Sequence, residues 1–343
     1  MAEFMKAAVY HQKHDLKVEE VPVREPKGNE VLIRIKYCGV CGTDLHIYNG
    51  DDGSAPVTPP LIPGHEFSGV VEKVGSEVKT IKVGDRVSAD PNDMCGECYF
   101  CRNGREHFCR NHIGIGTTLD GAFAEYMTIR EKQVYPFSNR LSFEEAAMAE
   151  PVSCCLHAID LCGIEVGDTV LVIGGGPIGL IMLQLARQAG AAQVILSEPV
   201  AEKRELAKRL GAGLVVDPVN ENLEEILKGC CENVDQVIEC VGNPKTEVQA
   251  IECAGRGAVV MLFGLTDPGA EINIKPYQLF KKELKLTASF INPYTFERAL
   301  KLLESGRIDV RSIITDIVSL DEIGKVFSDS AYRRRGKVMI RIG

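Results

Sequence analysis

The chain has 343 residues, of which 45% are hydrophobic and 25% charged, and a formal net charge of −9. That length exceeds what one hydrophobic core usually supports, so two domains are expected. The charge argues against nucleic acid or an anionic membrane as partner, no apolar run reaches the length of a membrane span, and no signal peptide is visible.

The 13 cysteines are an odd number without a secretory leader. They point to a reducing compartment, the cytoplasm, and to free thiols and metal thiolates more than to disulfides. Met1-Ala2-Glu3-Phe4 precedes a second methionine and reads as an added leader, so fold reasoning starts at Met5. Strand-like runs follow at Lys6 to Tyr10, Lys17 to Val21, Val31 to Ile35 and Phe67 to Val74, and Val83 to Val87 reads as a turn into another strand. Short strands with turn signals between them suggest a barrel or sandwich.

Between these strands lies Cys38-Gly39-Val40-Cys41-Gly42-Thr43-Asp44-Leu45-His46, followed by Pro63-Gly64-His65-Glu66. A thiol, an imidazole and a carboxylate are ligand types that zinc prefers, and three protein ligands with one open position mark a catalytic site. Cys38 and Cys41 are both candidate thiols. The bland alternative is a buried thiol, a satisfied histidine and a surface glutamate. Cys95, Cys98 and Cys101 recur at every third position, with Cys109 close behind. Four thiolates leave no open position, which reads as structural zinc; an iron–sulfur cluster is the rival, disfavoured by the longer gap to Cys109.

Around residue 150 the pattern changes. Ser142 and Glu145 form a capping-box pattern, and a helix is expected over 152–162. Thr169 to Ile173 is a continuous apolar strand, Gly174-Gly175-Gly176-Pro177-Ile178-Gly179 follows it, and a helix over 180–188 comes next. Strand, glycine turn and helix are the setting in which G-x-G-x-x-G binds a dinucleotide pyrophosphate. The next strand, Gln193 to Ser197, ends at Glu198. A carboxylate there can accept bonds from the adenosine ribose hydroxyls and would repel a 2′-phosphate, favouring NAD over NADP. Lys203, close behind, pulls the other way. Further strands at 214–217, 234–241, 257–263 and 284–290 complete a doubly wound domain. The remainder reads as a helix over 294–304, a strand around 313–318, a helix from Asp321 and a last strand over 337–340, folding back onto the first domain.

Gly64-His65-Glu66 with Gly69, the four-thiol run, Gly174 to Gly179 and Glu198 occur in an order that resembles the zinc-dependent medium-chain dehydrogenases over essentially the whole chain. The resemblance implies an α/β plus β architecture: a GroES-like β-barrel catalytic domain from residues 5–150 and 291–343, and a Rossmann NAD-binding domain from 151–290. It implies two zinc ions per chain. Cys41, His65, Glu66 and Glu150 would surround the catalytic ion, Glu66 and Glu150 directly or through water, and Cys95, Cys98, Cys101 and Cys109 the structural one. It implies a proton relay through Thr43 and His46, and NAD contacts from Gly174, Gly176, Pro177, Ile178, Gly179, Glu198, Lys203, Phe263, Gly264, Leu265 and Ser289. A homodimer or homotetramer is implied by the same analogy.

Glutamate at 150, where simple alcohol dehydrogenases carry a cysteine, resembles the polyol (sorbitol, xylitol, arabitol) dehydrogenase branch. The expected reaction is oxidation of a secondary hydroxyl of a small polyol to a ketose, with Asn292 as a candidate polar contact. Ser289-Phe290 departs from the Arg-Tyr pair typical of sorbitol dehydrogenases, so a pentitol is as plausible as sorbitol. L-Threonine 3-dehydrogenase shares almost every motif and is the nearest rival, ahead of other secondary-alcohol dehydrogenases. A non-catalytic binding protein on the same fold is the remote alternative.

Overall fold

A computed structural model of the chain describes residues 3–52 and 55–343. Met1 and Ala2 lie outside the described residues, but Phe4 does not: it begins β1 (Phe4–Gln12) and pairs with Pro22. The strand therefore starts one residue before Met5. Contacts divide the chain into two units, one of Met1–Pro151, Pro293–Gly306 and Val310–Gly343, the other of Val152–Asn292 and Arg307–Asp309.

In the first unit β1 forms a hairpin with β2 (Asp15–Pro22). The chain then runs through β3 (Glu30–Gly39), helix α1 (Gly42–Tyr48) and β4 (Glu66–Val74). Next come β5 (Arg86–Ala89), β6 (Asn92–Asp93), the short helix α2 (Tyr99–Arg102) and β7 (Ile113–Gly114). The stretch closes with β8 (Tyr126–Arg130), β9 (Val134–Pro136) and α3 (Phe143–Ala147). The expected capping box at Ser142 forms, with the Ser142 hydroxyl and Glu145 carboxylate exchanging bonds with each other's backbone N–H. β3 organises this sheet: its first half pairs with β8, and β4 runs antiparallel along its length. Val31, Ile33, Ile35, Phe67, Val71 and Phe123 are at most 1% exposed. Each such side chain contributes about 1.5–3 kcal/mol of burial energy.

The second unit opens within α4 (Ala149–Cys162), which begins three residues before the expected Val152 and carries Glu150 in its first turn. Pro151 permits this because the first turn of a helix has no intrahelical use for that N–H. Strands β10 (Thr169–Ile173), β11 (Gln193–Ser197), β12 (Leu214–Val216), β13 (Gln236–Glu239), β14 (Val259–Leu262) and β15 (Lys285–Ala288) alternate with helices. Those helices are α5 (Pro177–Ala189), α6 (Ala201–Arg209), α7 (Leu223–Cys230), α8 (Pro244–Cys253) and α9 (Pro276–Lys282). The sheet is parallel throughout, in the order β12-β11-β10-β13-β14-β15. Strand order therefore reverses between β10 and β13, the switch point at which such sheets bind ligands. Four of these strands are shorter than the apolar runs that suggested them, because the outer residues of each run belong to the connecting turns.

The chain then returns to the first unit through α10 (Phe296–Glu304), β16 (Ile314–Ser319), α11 (Ile323–Ser328), α12 (Ser330–Arg335) and β17 (Lys337–Arg341). α10 starts two residues after the expected Tyr294, which sits in the left-handed region at φ 58°. β17 pairs antiparallel with the end of β3, Met339 opposite Gly39, and parallel with β16. Among the described residues no helix is long and apolar enough to cross a membrane.

Candidate active site and metal centres

β3 ends at Gly39, and α1 starts just after Cys41, whose backbone N–H donates to Asp44 Oδ2 at 2.8 Å. This bond fixes the turn that presents the Cys41 thiol. His65 immediately precedes β4 and Glu66 opens it, with Glu66 in register with Gly39. The ligand atoms of Cys41, His65 and Glu66 all lie within 4.8 Å of one another. Cys38 is elsewhere: it is buried in the core, 3.0 Å from where a side chain on Gly64 would sit. Gly64 has φ 96° and is packed against Phe123 as well, so this turn before His65 needs glycine for conformation and for space.

His65 Nδ1 and Asp44 Oδ1 are both buried, 3.6 Å apart, and neither has a hydrogen-bond partner among the described residues. Burial works against charge on His65, but Asp44, Cys41 and Glu150 outweigh it and hold the imidazole well above its ordinary pKa. Anionic groups on several sides of a buried imidazole, with the Cys41 thiol and Glu66 carboxylate close by, are surroundings that fit a cation. Glu150, 8% exposed, is outside the 4.8 Å set but near enough to act on His65. Thr43 Oγ1 lies 3.8 Å from Cys41 Sγ. His46 is about a third exposed, with Nδ1 3.7 Å from Asp51.

One partner was not foreseen from the sequence. Lys337, first residue of β17, is 5% exposed and forms an ion pair with Glu66, itself 1% exposed. Burial opposes the charge on Lys337, but Glu66, Cys41 and Asp44 more than offset it and raise its pKa.

Cys95, Cys98, Cys101 and Cys109 form a second cluster around α2. Their sulfurs are 3.4 Å (Cys95–Cys109), 3.6 Å (Cys98–Cys101), 3.9 Å (Cys95–Cys101) and 4.0 Å (Cys98–Cys109) apart. Tetrahedral zinc with bonds of about 2.3 Å spaces its sulfurs by about 3.8 Å. An iron–sulfur cluster, whose thiolates bind different irons, needs them farther apart. Backbone N–H groups of Cys101 and Arg110 draw the Cys98 thiol down to about 6, readying it as a thiolate.

In the second unit, Gly174 turns at φ 101° directly after β10, and Gly176 caps α5 with Pro177 in its first turn. A side chain on Gly179 would collide with the Gly174 carbonyl, so this glycine sets how closely helix and strand pack. Glu198, 5% exposed at the end of β11, accepts from Gly175 N at 2.7 Å and Val200 N at 2.9 Å. Its carboxylate is thus anchored beside the glycine turn. Phe263 and Gly264 follow β14 and donate their N–H groups to the Glu239 carbonyl, Leu265 is 59% exposed, and Ser289 has a buried hydroxyl without a partner among the described residues. Val241 and Gly242, which sequence reasoning missed, border the same turn: Val241 lies against Gly174 and Gly242 against Leu265. Their adjacency follows from β13 lying beside β10.

Lys203 is half-buried on α6. Its neighbour Arg204 donates to the carbonyls of Glu198 and Pro199 at 2.7 and 2.8 Å and pairs with Asp217 at 3.0 Å, so it is already engaged. Asn292, the candidate substrate contact, is 1% exposed and donates to Ser153 Oγ at 2.8 Å. Its side chain is buried within the second unit, where the expectation had it exposed for a polar contact with substrate.

Residues 27–139 match the alcohol dehydrogenase GroES-like domain, and residues 177–305 match the zinc-binding dehydrogenase domain. The chain is 32% identical to D-arabinitol dehydrogenase 1 of Uromyces fabae, over 98% of this chain and 97% of that protein. It is 37% identical to an L-threonine 3-dehydrogenase of Anaeromyxobacter sp. (strain Fw109-5), over 95% of each. A zinc-binding dehydrogenase from Sinorhizobium meliloti 1021, solved bound to NADP, superposes with a TM-score of 0.95 at 40% identity, covering 99% of this chain and all of that one.

Proposed function

This chain belongs to the zinc-dependent alcohol dehydrogenase family, and we propose that it oxidises a secondary hydroxyl of a small polyol with NAD, giving a ketose. The observation that carries this reading is the convergence of Cys41, His65 and Glu66 within 4.8 Å. We assign catalysis to residues 5–150 and 291–343 and cofactor binding to 151–290. Cys41, His65 and Glu66 hold the catalytic zinc, with the Glu150 carboxylate near it, and Cys95, Cys98, Cys101 and Cys109 hold the structural zinc. When bound, the catalytic ion supplies Lewis acidity at the substrate oxygen, and NAD supplies the hydride acceptor. The Thr43 hydroxyl takes the proton released from the substrate, and His46, partly exposed, passes it to water.

Gly174, Gly176, Pro177, Ile178 and Gly179 receive the pyrophosphate, and Phe263, Gly264, Leu265 and Ser289 lie along the rest of the cofactor. Glu198 selects NAD by accepting from the ribose hydroxyls. Arg204 is engaged with Asp217, which supports this choice by occupying a cation that could otherwise meet a 2′-phosphate, while Lys203 pulls the other way. The S. meliloti relative holds NADP, so the selectivity of this chain is argued from Glu198 itself.

The polyol reading rests on Glu150, which makes the metal surroundings harder and more polar than a thiolate would and suits a substrate with adjacent hydroxyls. L-Threonine is the second reading, favoured by the 37% identity to a threonine dehydrogenase. Steady-state NAD reduction across C4–C6 polyols, L-threonine and monohydric alcohols tests both. A kcat/KM for L-threonine or a monohydric alcohol about tenfold above every polyol would end the polyol reading.

We also infer a homo-oligomer. β15 is an edge strand, and Tyr277 and Phe280 of α9 are 71% and 81% exposed. Edges and aromatic patches of this kind are ordinarily covered.

A further inference from the structure

Glu239 closes β13 and is 0% exposed. It gathers hydrogen bonds from two turns beyond the sheet. Its carbonyl accepts from Phe263 N at 2.9 Å and Gly264 N at 3.0 Å. Its carboxylate accepts from Val241 N at 2.8 Å, from Gly242 N at 3.1 Å and from the Thr246 hydroxyl at 2.7 Å. A side chain on Gly264 would come within 2.7 Å of Glu239 Oε2, so the carboxylate lies directly beside that glycine. Among the described residues these partners are all uncharged. They satisfy the carboxylate oxygens without cancelling the charge, and in a buried place a charge acts more strongly on its neighbours than it would in water.

The order of the strands indicates which part of a dinucleotide would feel this charge. The glycine turn follows β10, Glu198 ends the strand on one side of β10, and Glu239 ends the strand on the other. With the pyrophosphate on Gly174 to Gly179 and the adenosine ribose at Glu198, an extended dinucleotide carries its nicotinamide half across to β13 and β14. That ring is a cation in NAD⁺ and neutral in NADH. We propose that Glu239 biases this crevice toward the oxidised cofactor, its buried charge attracting the nicotinamide ring until the ring has accepted a hydride. The inference rests on the assignment of the crevice to NAD. The reduced cofactor loses the attraction and leaves more readily, which favours turnover in the direction of alcohol oxidation.

Dissociation constants for NAD⁺ and NADH, measured by calorimetry on the full chain, test this. Glu239→Gln keeps the size of the side chain and an acceptor for Val241 and Gly242, and removes the charge. It should weaken NAD⁺ about tenfold more than NADH. Thr246→Val removes one bond and keeps the charge, so it should weaken both cofactors alike and leave their ratio as in the parent. An equal loss for both cofactors in Glu239→Gln, or the same change of ratio in Thr246→Val, would make Glu239 a support for the turns alone and overturn the proposal. Should Glu239→Gln fail to fold, Glu239→Asp decides. Drawing the carboxylate back from Gly264 by one methylene should move the ratio in the same direction by a smaller factor, and an unchanged ratio would refute the proposal. If the parent bound neither cofactor, the assignment of the crevice to NAD would itself fall, and the proposal with it.

Discussion

At the scale of single residues, Glu198 and Gly179 carry the sharpest expectations. Hydrogen bonds to a charged group are worth about 1.5–3 kcal/mol. Glu198→Ala should therefore weaken NAD substantially while NADP changes little, narrowing the gap in kcat/KM between the cofactors. Equal use of both cofactors by the unmutated protein would refute the role given to Glu198. Gly179→Ala should cost NAD binding and thermal stability together, because the new methyl meets the Gly174 carbonyl; calorimetry and cofactor titration on one sample would show whether the two losses go together. These residues were legible in the sequence because a glycine turn between strand and helix is a local pattern. Lys337, Arg204 and Val241 were not. Each acquires its neighbours through strand pairing or helix docking far along the chain, and nothing in the local spacing records it.

At the scale of elements, the short helix α2 in the thiol lobe has four residues and buries none of its side chains. Zinc in such lobes contributes about 10–16 kcal/mol to folding. Cys98→Ser should remove one equivalent of metal and lower the melting temperature sharply, while His65→Ala should remove the other equivalent and the activity. A single equivalent in the parent protein, or iron, would contradict this reading.

A second element-scale expectation concerns Glu131, which follows β8. Its carboxylate accepts from the Thr80 backbone and hydroxyl and from the N–H groups of Lys79 and Ile81, drawing its pKa down to about 2. A pKa depressed by folding means stability that is complete above the ordinary carboxylate range and is lost as pH falls toward 2. Glu131→Gln should therefore be less stable than the parent at neutral pH, with the difference in urea midpoint shrinking as pH falls from about 5 towards 3. A constant difference would mean that the loop does not depend on the charge. The late start of α10 belongs to this scale too. Tyr294 fits the helical pattern, but its positive φ breaks the backbone path, and side-chain periodicity cannot report a dihedral angle.

At the scale of the whole molecule, both architectures could be read in advance. Alternating short strands marked the mostly antiparallel sheet, and the strand–turn–helix repeat marked the parallel one. Sheet order could not be read, since register and neighbours are fixed by tertiary packing. The oligomer is a further expectation at this scale. Sedimentation velocity should give a species larger than a monomer, and Tyr277→Lys with Phe280→Lys should shift it toward the monomer. An unmutated monomer at micromolar concentration would refute the interface.

The pairing of β17 with β3 has a consequence for biosynthesis. Gly39 leaves the ribosome 300 residues before its partner Met339. At roughly 5–20 residues per second, the strand carrying Lys337 emerges tens of seconds after Cys41, His65 and Glu66. During that interval the nascent protein displays a thiol, an imidazole and a carboxylate whose counter-charge has yet to be made. Any cellular cation that arrives then meets a more anionic and less selective pocket than the finished enzyme offers. Slow decoding between Glu66 and Lys337 would lengthen that interval.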